Sequence, residues 1–245
     1  MKNGVDVSSV EGVTDMPYAI PNVHVELHTT KVGVPVLWWR SVGHTHTAYV
    51  VETMIDQIAA KAGKDPVEFR LALFKDKPRH AGVLKLAAEK AGWTEASPAA
   101  RFRGVAVHES FHSFVAHVAE VSMSKGKAKV ERIVCAVDCG VAVNPDIIKA
   151  QMEGGIGYGL GAAMRDAITL TGGVVDQSNF DTYEPLRMSD MPHVEVHVVA
   201  STEKPTGVGE PGVPPTAPAV ANAVFKATGR RLLALPLDLD NAGRA

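Results

Sequence analysis

The chain has 245 residues, 46% of them hydrophobic, with 25 basic against 27 acidic side chains and a formal net charge of −2. That is enough apolar material for one large domain or two small ones, and the near balance of charge argues against a nucleic-acid or anionic-membrane partner. No apolar run reaches the roughly 18–20 residues of a membrane span, and the N-terminal MKNGVDVSSVEG lacks the charged-then-apolar order of a signal peptide.

Taken in chain order, TAYVVETMIDQIAAKA (47–62) has apolar positions at helical spacing. DPVEFRLALFK follows as a second helix, with Asp65 as N-cap and Pro66 at the first helical position. A third helix is expected over 81–91, ending at Gly92. The composition then turns β-branched: RGVAVHESF, VAHVAEVSM and KVERIVCAVD read as strands, the last two joined through the turn SKGKA. Cys135 and Cys139 lie at the end of this run, at a spacing that fits neither a zinc ribbon nor the usual iron–sulfur arrangements, and Cys135 reads as a buried thiol. A helix begins near Asn144–Pro145 and runs through IIKAQMEGGIGYGLGAAM. Its five glycines cost about 1 kcal/mol each in a helix, so close backbone packing or a ligand against it is expected. HVEVHVVA (193–200) is a strand, and TAPAVANAVFKATG (216–229) a helix with Thr216 as N-cap and Gly229 as C-cap. Helices, then strands, then mixed elements make an α+β protein. The composition change at 92/93 suggests an N-terminal helical part (1–92) and an α+β C-terminal part (93–245).

Three stretches hold candidate site residues. In KPTGVGEPGVPPTAPA (204–219) one acid, Glu210, sits among Gly207, Gly209, Gly212 and five prolines. Glycines let backbone approach a ligand closely and prolines stiffen the exit, so this turn suits a rigidly held carboxylate; the plainer reading is a solvent-exposed loop acid. Gln151, at the start of the glycine-rich helix, both donates and accepts, which suits a ligand with oxo and amide groups; otherwise it is a surface glutamine. Arg40 follows two tryptophans and reads either as an oxyanion-binding guanidinium or as a surface cation–π partner. The pair His44 and His46 is weak as a metal signal, having no third ligand at helical distance. His108, His112 and His117 read as packing or surface residues, and Glu109, Glu120 and Glu131 form no acid pair. A hydrolase is rejected, because no serine sits in a G-x-S-x-G turn.

RSVGHTHTAYVVETMIDQIAAKAGKDPVEFRLALF, VDCGVAVNPDIIKAQMEGGIGYGLGAAM, SNFDTYEPLRMSDMPHVEVHV and GVGEPGVPPTAPAVANAVFKATGRRLLALPL occur in this order. Together they resemble the C-terminal portion of the molybdenum-binding subunit of the xanthine dehydrogenase and aldehyde oxidoreductase family, in its isoquinoline 1-oxidoreductase β-subunit branch. The resemblance implies the molybdopterin-binding α+β fold of that family, with mixed sheets and packed helices. It implies a molybdenum hydroxylase component that oxidises an aldehyde or N-heterocycle with water-derived oxygen. Glu210 would be the catalytic base. Gln151 and Arg40 would lie beside a molybdenum–molybdopterin cofactor, in its cytosine dinucleotide form. Ser41, Val42 and Gly43 would form the adjoining backbone loop, and Gly207, Val208 and Gly209 the turn that presents Glu210. No side chain would ligate the metal, because the pterin dithiolene holds it. Electrons would pass to a [2Fe–2S] subunit or a cytochrome, and the rest of the molybdenum subunit would be a further partner. An exposed apolar face is expected where that part belongs. The chain is expected to be a split or shortened product, cytoplasmic, or periplasmic if the remainder carries an export signal. Val42 stands where the xanthine dehydrogenase branch tends to have an aromatic that packs on substrate. The competing reading is a non-catalytic assembly module that keeps the fold without cofactor.

Overall fold

The computed structural model describes residues 4–31, 33–34, 37–98 and 100–243; Met1–Asn3, the start of the MKNGVDVSSVEG stretch read above, lie outside them. Three helices come first: α1 (Gly43–Lys61), α2 (Pro66–Leu73) and α3 (Pro78–Lys90). Strands β1 (Arg101–Ser110), β2 (Ser113–Ser124) and β3 (Lys127–Asp138) follow, then α4 (Pro145–Met164), the short hairpin β4 (Leu170–Thr171) and β5 (Val174–Val175), β6 (His193–Val198) and α5 (Thr216–Thr228). The main sheet has the order β1-β2-β3-β6. Its first three strands are antiparallel and β6 joins β3 in parallel, so the sheet is mixed, and the chain is α+β as expected.

The strand sequences alternate between two cores, one on each face. Val105, Val107, Ala116, Val118, Val134 and Ala136 face the helices α1–α3, packing with Ile55, Val83, Leu84 and Ala87. Ala106, Val115, Ala119, Ile133, Cys135 and Val137 face the other way, against Met152, Ile156 and Leu160 of α4 and Ala219, Val220 and Ala223 of α5. Cys135 is fully buried, and burial pushes its thiol well above the ordinary value. Gly104 sets the approach of α5: a Cβ there would stand 2.0 Å from the Ala223 nitrogen. Large apolar side chains also stand in solvent on several segments, among them Leu37, Trp38, Val143, Phe180 and Met188.

Several expectations shift by a turn or less. α1 starts at Gly43 rather than 47, because its first turn is set by the Ser41–Val42 backbone. α3 starts at Pro78, which supplies the first-turn residue needing no N–H partner. Asp65 caps α2 as read, and Asn144, where a helix was expected to begin, caps α4; each accepts from two backbone N–H groups. Thr216 does not cap α5: Pro215 occupies that position, and the Thr216 hydroxyl donates to the Gly212 carbonyl at 3.0 Å. Close packing accounts for Gly155, Gly159 and Gly161 of α4, but not for Gly154, where a Cβ would meet nothing within 4 Å, nor for Gly157, where it would make an ordinary contact with Met191. A Cβ on Gly155 would meet the Gly212 backbone at 3.2 Å, and one on Gly159 would meet Thr216 at 3.0 Å. The chain that carries Glu210 therefore lies directly on α4.

As an edge strand, β1 has backbone groups without strand partners. Helix side chains take them up. The Val107 N–H donates to Oε2 of Glu52 in α1 at 2.9 Å, and Asn222 of α5 donates to the Val105 carbonyl at 3.0 Å. Glu52 and Arg70 are both fully buried and paired at 3.0 Å, and the Tyr18 hydroxyl donates to the other Glu52 oxygen. Glu120, also buried, is met by Arg103 at 2.9 Å, Arg132 at 3.3 Å and Arg101 at 3.4 Å.

Removing one partner of a buried ion pair strands the other charge, so Arg70→Met is expected to cost about 3–5 kcal/mol in denaturant unfolding; a loss below about 1 kcal/mol would contradict the pairing described. The acid side is also set by burial. Burial lowers His80 to about 4 and His108 and His117 to about 3. In the unfolded chain these groups bind protons below about 6.5, while the folded chain does not. Stability is therefore expected to fall as the pH drops from about 6.5 towards 4, with net proton uptake on unfolding; unfolding that takes up no protons in this window would contradict it.

Candidate active site

The site lies at the C-terminal end of β3, where the chain after β6 runs back alongside. Val199 donates to Val137 O at 2.8 Å, Val141 to Glu203 O at 2.9 Å and Thr206 to Cys139 O at 2.9 Å. Gly140, at φ +75°, has to be glycine: a Cβ would stand 2.1 Å from the Lys204 carbonyl. Asp138 is gripped by both arms of Arg79 at 2.7 and 2.8 Å and accepts from the Gly140 N–H at 3.0 Å, which fixes this corner. Buried Ser113, at the start of β2, donates to the Gly207 carbonyl at 2.7 Å and bonds to the Thr206 hydroxyl at 2.7 Å. Val208 is half-buried and packs on the core, while Gly207 and Gly209 face outward.

The second part is the turn ahead of α1. Ser41 and Val42 both have positive φ, 69° and 51°. For a β-branched residue this is a rare, strained conformation costing about 1–3 kcal/mol, and it persists only where its surroundings enforce it. Here they do. The Ser41 hydroxyl, fully buried, donates to the Glu210 carbonyl at 2.9 Å, and the Ser41 N–H donates to Glu210 Oε1 at 2.9 Å. Nε of Arg40 donates to the Gly209 carbonyl at 2.6 Å. Gly43 begins α1 with no room for a side chain, since a Cβ would come within 1.8 Å of the Ser8 carbonyl.

α4 supplies the third part. Nη2 of Arg40 reaches Gln151 Oε1 at 3.4 Å, and the guanidinium lies over the Tyr158 ring at 5.5 Å. Trp39 stacks at a tilt on the same ring, centroids 4.6 Å apart. Arg40, Ser41, Val42, Gly43, Gln151 and the Gly207–Glu210 turn, scattered over 171 positions of sequence, thus meet in one place. The Glu210 carboxylate is half-buried and anchored rather than free in a loop. Next to them a cleft of about 430 Å³ is walled by Trp39, Thr45, Tyr158, Tyr183, Val213 and Leu235.

The two histidines weighed as a metal pair point to different places. His44 is buried, with Nδ1 2.9 Å from Nε2 of His108, whereas exposed His46 donates to the Ser9 carbonyl at 2.9 Å. His108 and His117 are buried and His112 is exposed. Ser113, Thr206 and Tyr158 carry no signal in the sequence beyond their hydroxyl or aromatic character near the motifs, and the ring that Arg40 lies over is Tyr158 rather than a preceding tryptophan. Among the described residues no group of three or more His, Cys, Asp or Glu side chains is arranged to hold a metal ion. A metal here would need ligands brought by its own cofactor. The outward glycines leave room for such a group: a Cβ on Gly207 would meet nothing within 4 Å, and one on Gly209 only Gln151 Oε1 at 3.8 Å.

The description of the molybdopterin cofactor-binding domain matches residues 46–192, and a second one of the same name matches residues 5–74. The chain is 37% identical to the isoquinoline 1-oxidoreductase subunit beta of Brevundimonas diminuta, over 90% of this chain and 29% of that protein. It is 33% identical to a membrane-bound aldehyde dehydrogenase (pyrroloquinoline-quinone) of Gluconacetobacter polyoxogenes, over 82% of this chain and 29% of that protein. The chain thus spans less than a third of the length of these curated relatives. In fold it resembles the quinoline 2-oxidoreductase of Pseudomonas putida 86, with a TM-score of 0.73 at 13% identity, over 84% of this chain and 52% of that one. The chain belongs to the molybdopterin cofactor-binding domains of the molybdenum-binding subunits of the xanthine dehydrogenase and aldehyde oxidoreductase family.

Proposed function

We propose that this chain supplies the catalytic base and part of the cofactor cradle of a molybdenum hydroxylase acting on an aldehyde or an aromatic N-heterocycle. The observation that carries this reading is the three-way junction: Arg40 bonded to both Gly209 O and Gln151, and Glu210 Oε1 held by the Ser41 N–H. When bound, a molybdenum–pterin cofactor supplies the two-electron oxidation. Gln151, with Oε1 turned towards Arg40, offers its amide N–H groups to acceptor atoms of the cofactor. Arg40 carries the positive charge next to it, and Gly207, Val208 and Gly209 let the backbone come close. Glu210 is the general base. Its Oε1 is oriented by the Ser41 N–H, and its second oxygen takes the proton from the water-derived nucleophile as that oxygen attacks the substrate carbon. Rigid placement of this carboxylate is what the buried Ser41 hydroxyl and the prolines after Glu210 contribute. The flat apolar walls of the neighbouring cleft, Trp39 and Tyr158, suit a small planar substrate.

The relatives that support this reading include a subunit named as a beta subunit, so the chain is read as working with other polypeptides. These are the remainder of the molybdenum subunit and an iron–sulfur subunit with [2Fe–2S] clusters, or a cytochrome, as electron acceptor. The cofactor is proposed to be the cytosine dinucleotide form.

In the enzyme assembled with those partners, Glu210→Gln is expected to keep its molybdenum and lose at least about 100-fold in turnover, the size expected for removing a positioned general base. Near-normal turnover would remove Glu210 from the base role. An assembled complex that never takes up molybdenum would favour the non-catalytic assembly module instead.

A further inference from the structure

A long arm joins the N-terminal segment to the site. It leaves the body where Ala19 donates to the Leu73 carbonyl at 3.0 Å and Ile20 packs on the α1–α3 core. It is fixed again where Trp39 meets Tyr158 and Arg40 bonds to Gly209. Connections longer than about 12–15 residues without regular structure are uncommon in compact domains, and most of them are functional. Within this arm residues 22–28, NVHVELH, alternate strictly between polar and apolar side chains, the pattern of a strand with one face to bury. The backbone there is extended as the pattern requires. Glu26 accepts from Nε2 of His24 at 2.7 Å and from Nε2 of His28 at 3.1 Å, so side chains two residues apart line one face. Val23, Val25 and Leu27 make the other face.

Among the described residues nothing completes this strand. No backbone N–H or carbonyl of residues 21–31 is hydrogen-bonded to another described group, and the stretch belongs to neither sheet. Val23, Val25 and Leu27 are 39–49% exposed and join neither core. An extended run with bare backbone is a template for a second strand, and strands do not stand alone in water. The arm also lies inside residues 5–74, which match one molybdopterin cofactor-binding domain, so it is part of a domain's body. The other described elements of that span, η1 (Val7–Val10), α1 and α2, are all helical. The chain covers 29% of the Brevundimonas diminuta subunit, so more than two thirds of such a protein lies outside it.

We propose that residues 22–28 are a docking strand, along which a β-strand of the polypeptide supplying the rest of the molybdenum subunit pairs through its backbone. This rests on reading the chain as one part of such a subunit. Main-chain hydrogen bonds give this mode of binding its affinity, and alternate side chains give it selectivity. The incoming strand carries β-branched or aromatic residues on the side of Val23, Val25 and Leu27, closing an apolar layer there. The His24–Glu26–His28 face, already satisfied within itself, stays in contact with water. The missing length and the position of the arm inside a matched domain favour this occupant over a second copy of the chain. Because the arm ends at Arg40, the pairing ties the incoming polypeptide to the junction of Arg40, Gly209 and Gln151.

The test is amide hydrogen–deuterium exchange, on this chain alone and on this chain co-expressed and purified with the rest of the molybdenum subunit. In the chain alone residues 22–28 are expected to exchange as fast as an unstructured peptide. In the assembly the alternate amides on the paired edge are expected to slow at least about 100-fold. Successive N–H groups of a strand point to opposite edges, so proline is placed at two neighbouring positions, Val25→Pro and Glu26→Pro. Neither removes a bond made within this chain, and the one on the paired edge is expected to weaken assembly at least about 10-fold. If the chain alone does not stay folded, exchange within the assembly decides. Fast exchange throughout 22–28 in the assembly, or wild-type assembly of both proline variants, would overturn the proposal. Protection in the chain alone that grows with its concentration would assign the strand to a second copy and overturn it as well. An assembly that protects 22–28 but never takes up molybdenum would instead remove the catalytic reading and leave the pairing standing, so the two failures are distinguishable.

Discussion

The site depends on where the first turn of α1 sits, and one buried carboxylate fixes that position. Glu52, well inside α1, takes the Val107 N–H of the edge strand, the Arg70 guanidinium of α2 and the Tyr18 hydroxyl. An ion pair this deeply buried contributes little net stability, since desolvation offsets most of the attraction, but it tolerates very few alternative placements. It locks helix, edge strand and N-terminal segment into one register. The N-terminus of α1 is then held at the end of the sheet, where the chain after β6 passes.

Given that register, the strained Ser41–Val42 turn is enforced by its surroundings. Ser41 is held through both its N–H and its hydroxyl by Glu210, and Arg40 reaches past it to Gly209 and Gln151. The strain is local and the bonds that hold it come from two distant segments, so the turn forms only in the complete fold. A carboxylate fixed in this way does not have to be ordered at the moment it acts, which is the sense in which a rigid scaffold assists proton transfer.

Much of this was legible in the sequence, for physical reasons that differ by residue. Asp65 and Asn144 sit before prolines at helix starts, so their caps follow from local chemistry alone. The helical glycines of α4 announced a close contact, and at Gly155 and Gly159 the contact is the Glu210-bearing chain itself. The β-branched runs marked the three long strands, whereas the two cores that they separate emerge only in the fold. Thr216 misled because its hydroxyl has two competing uses: it is a good capping group, but here it donates backwards to Gly212, leaving the cap to Pro215. The surroundings of His44 could not be read at all. His44 looked like half of an H-x-H pair, and its real partners, His108 and Glu11, are brought to it by tertiary packing. The positive φ of Val42 is likewise invisible in a valine codon and is imposed by contacts far along the chain.

The central claim is spatial: the Glu210 carboxylate, held by Ser41, faces a molybdenum cofactor shared with Gln151 and Arg40. Anomalous diffraction at the molybdenum edge, on crystals of the assembled enzyme, tests it most directly. The account predicts a single strong peak in front of the Gln151–Gly209–Glu210 surface, with the Ser41 N–H still bonded to the carboxylate. A molybdenum peak elsewhere, or a Glu210 side chain turned to bulk water, would contradict it.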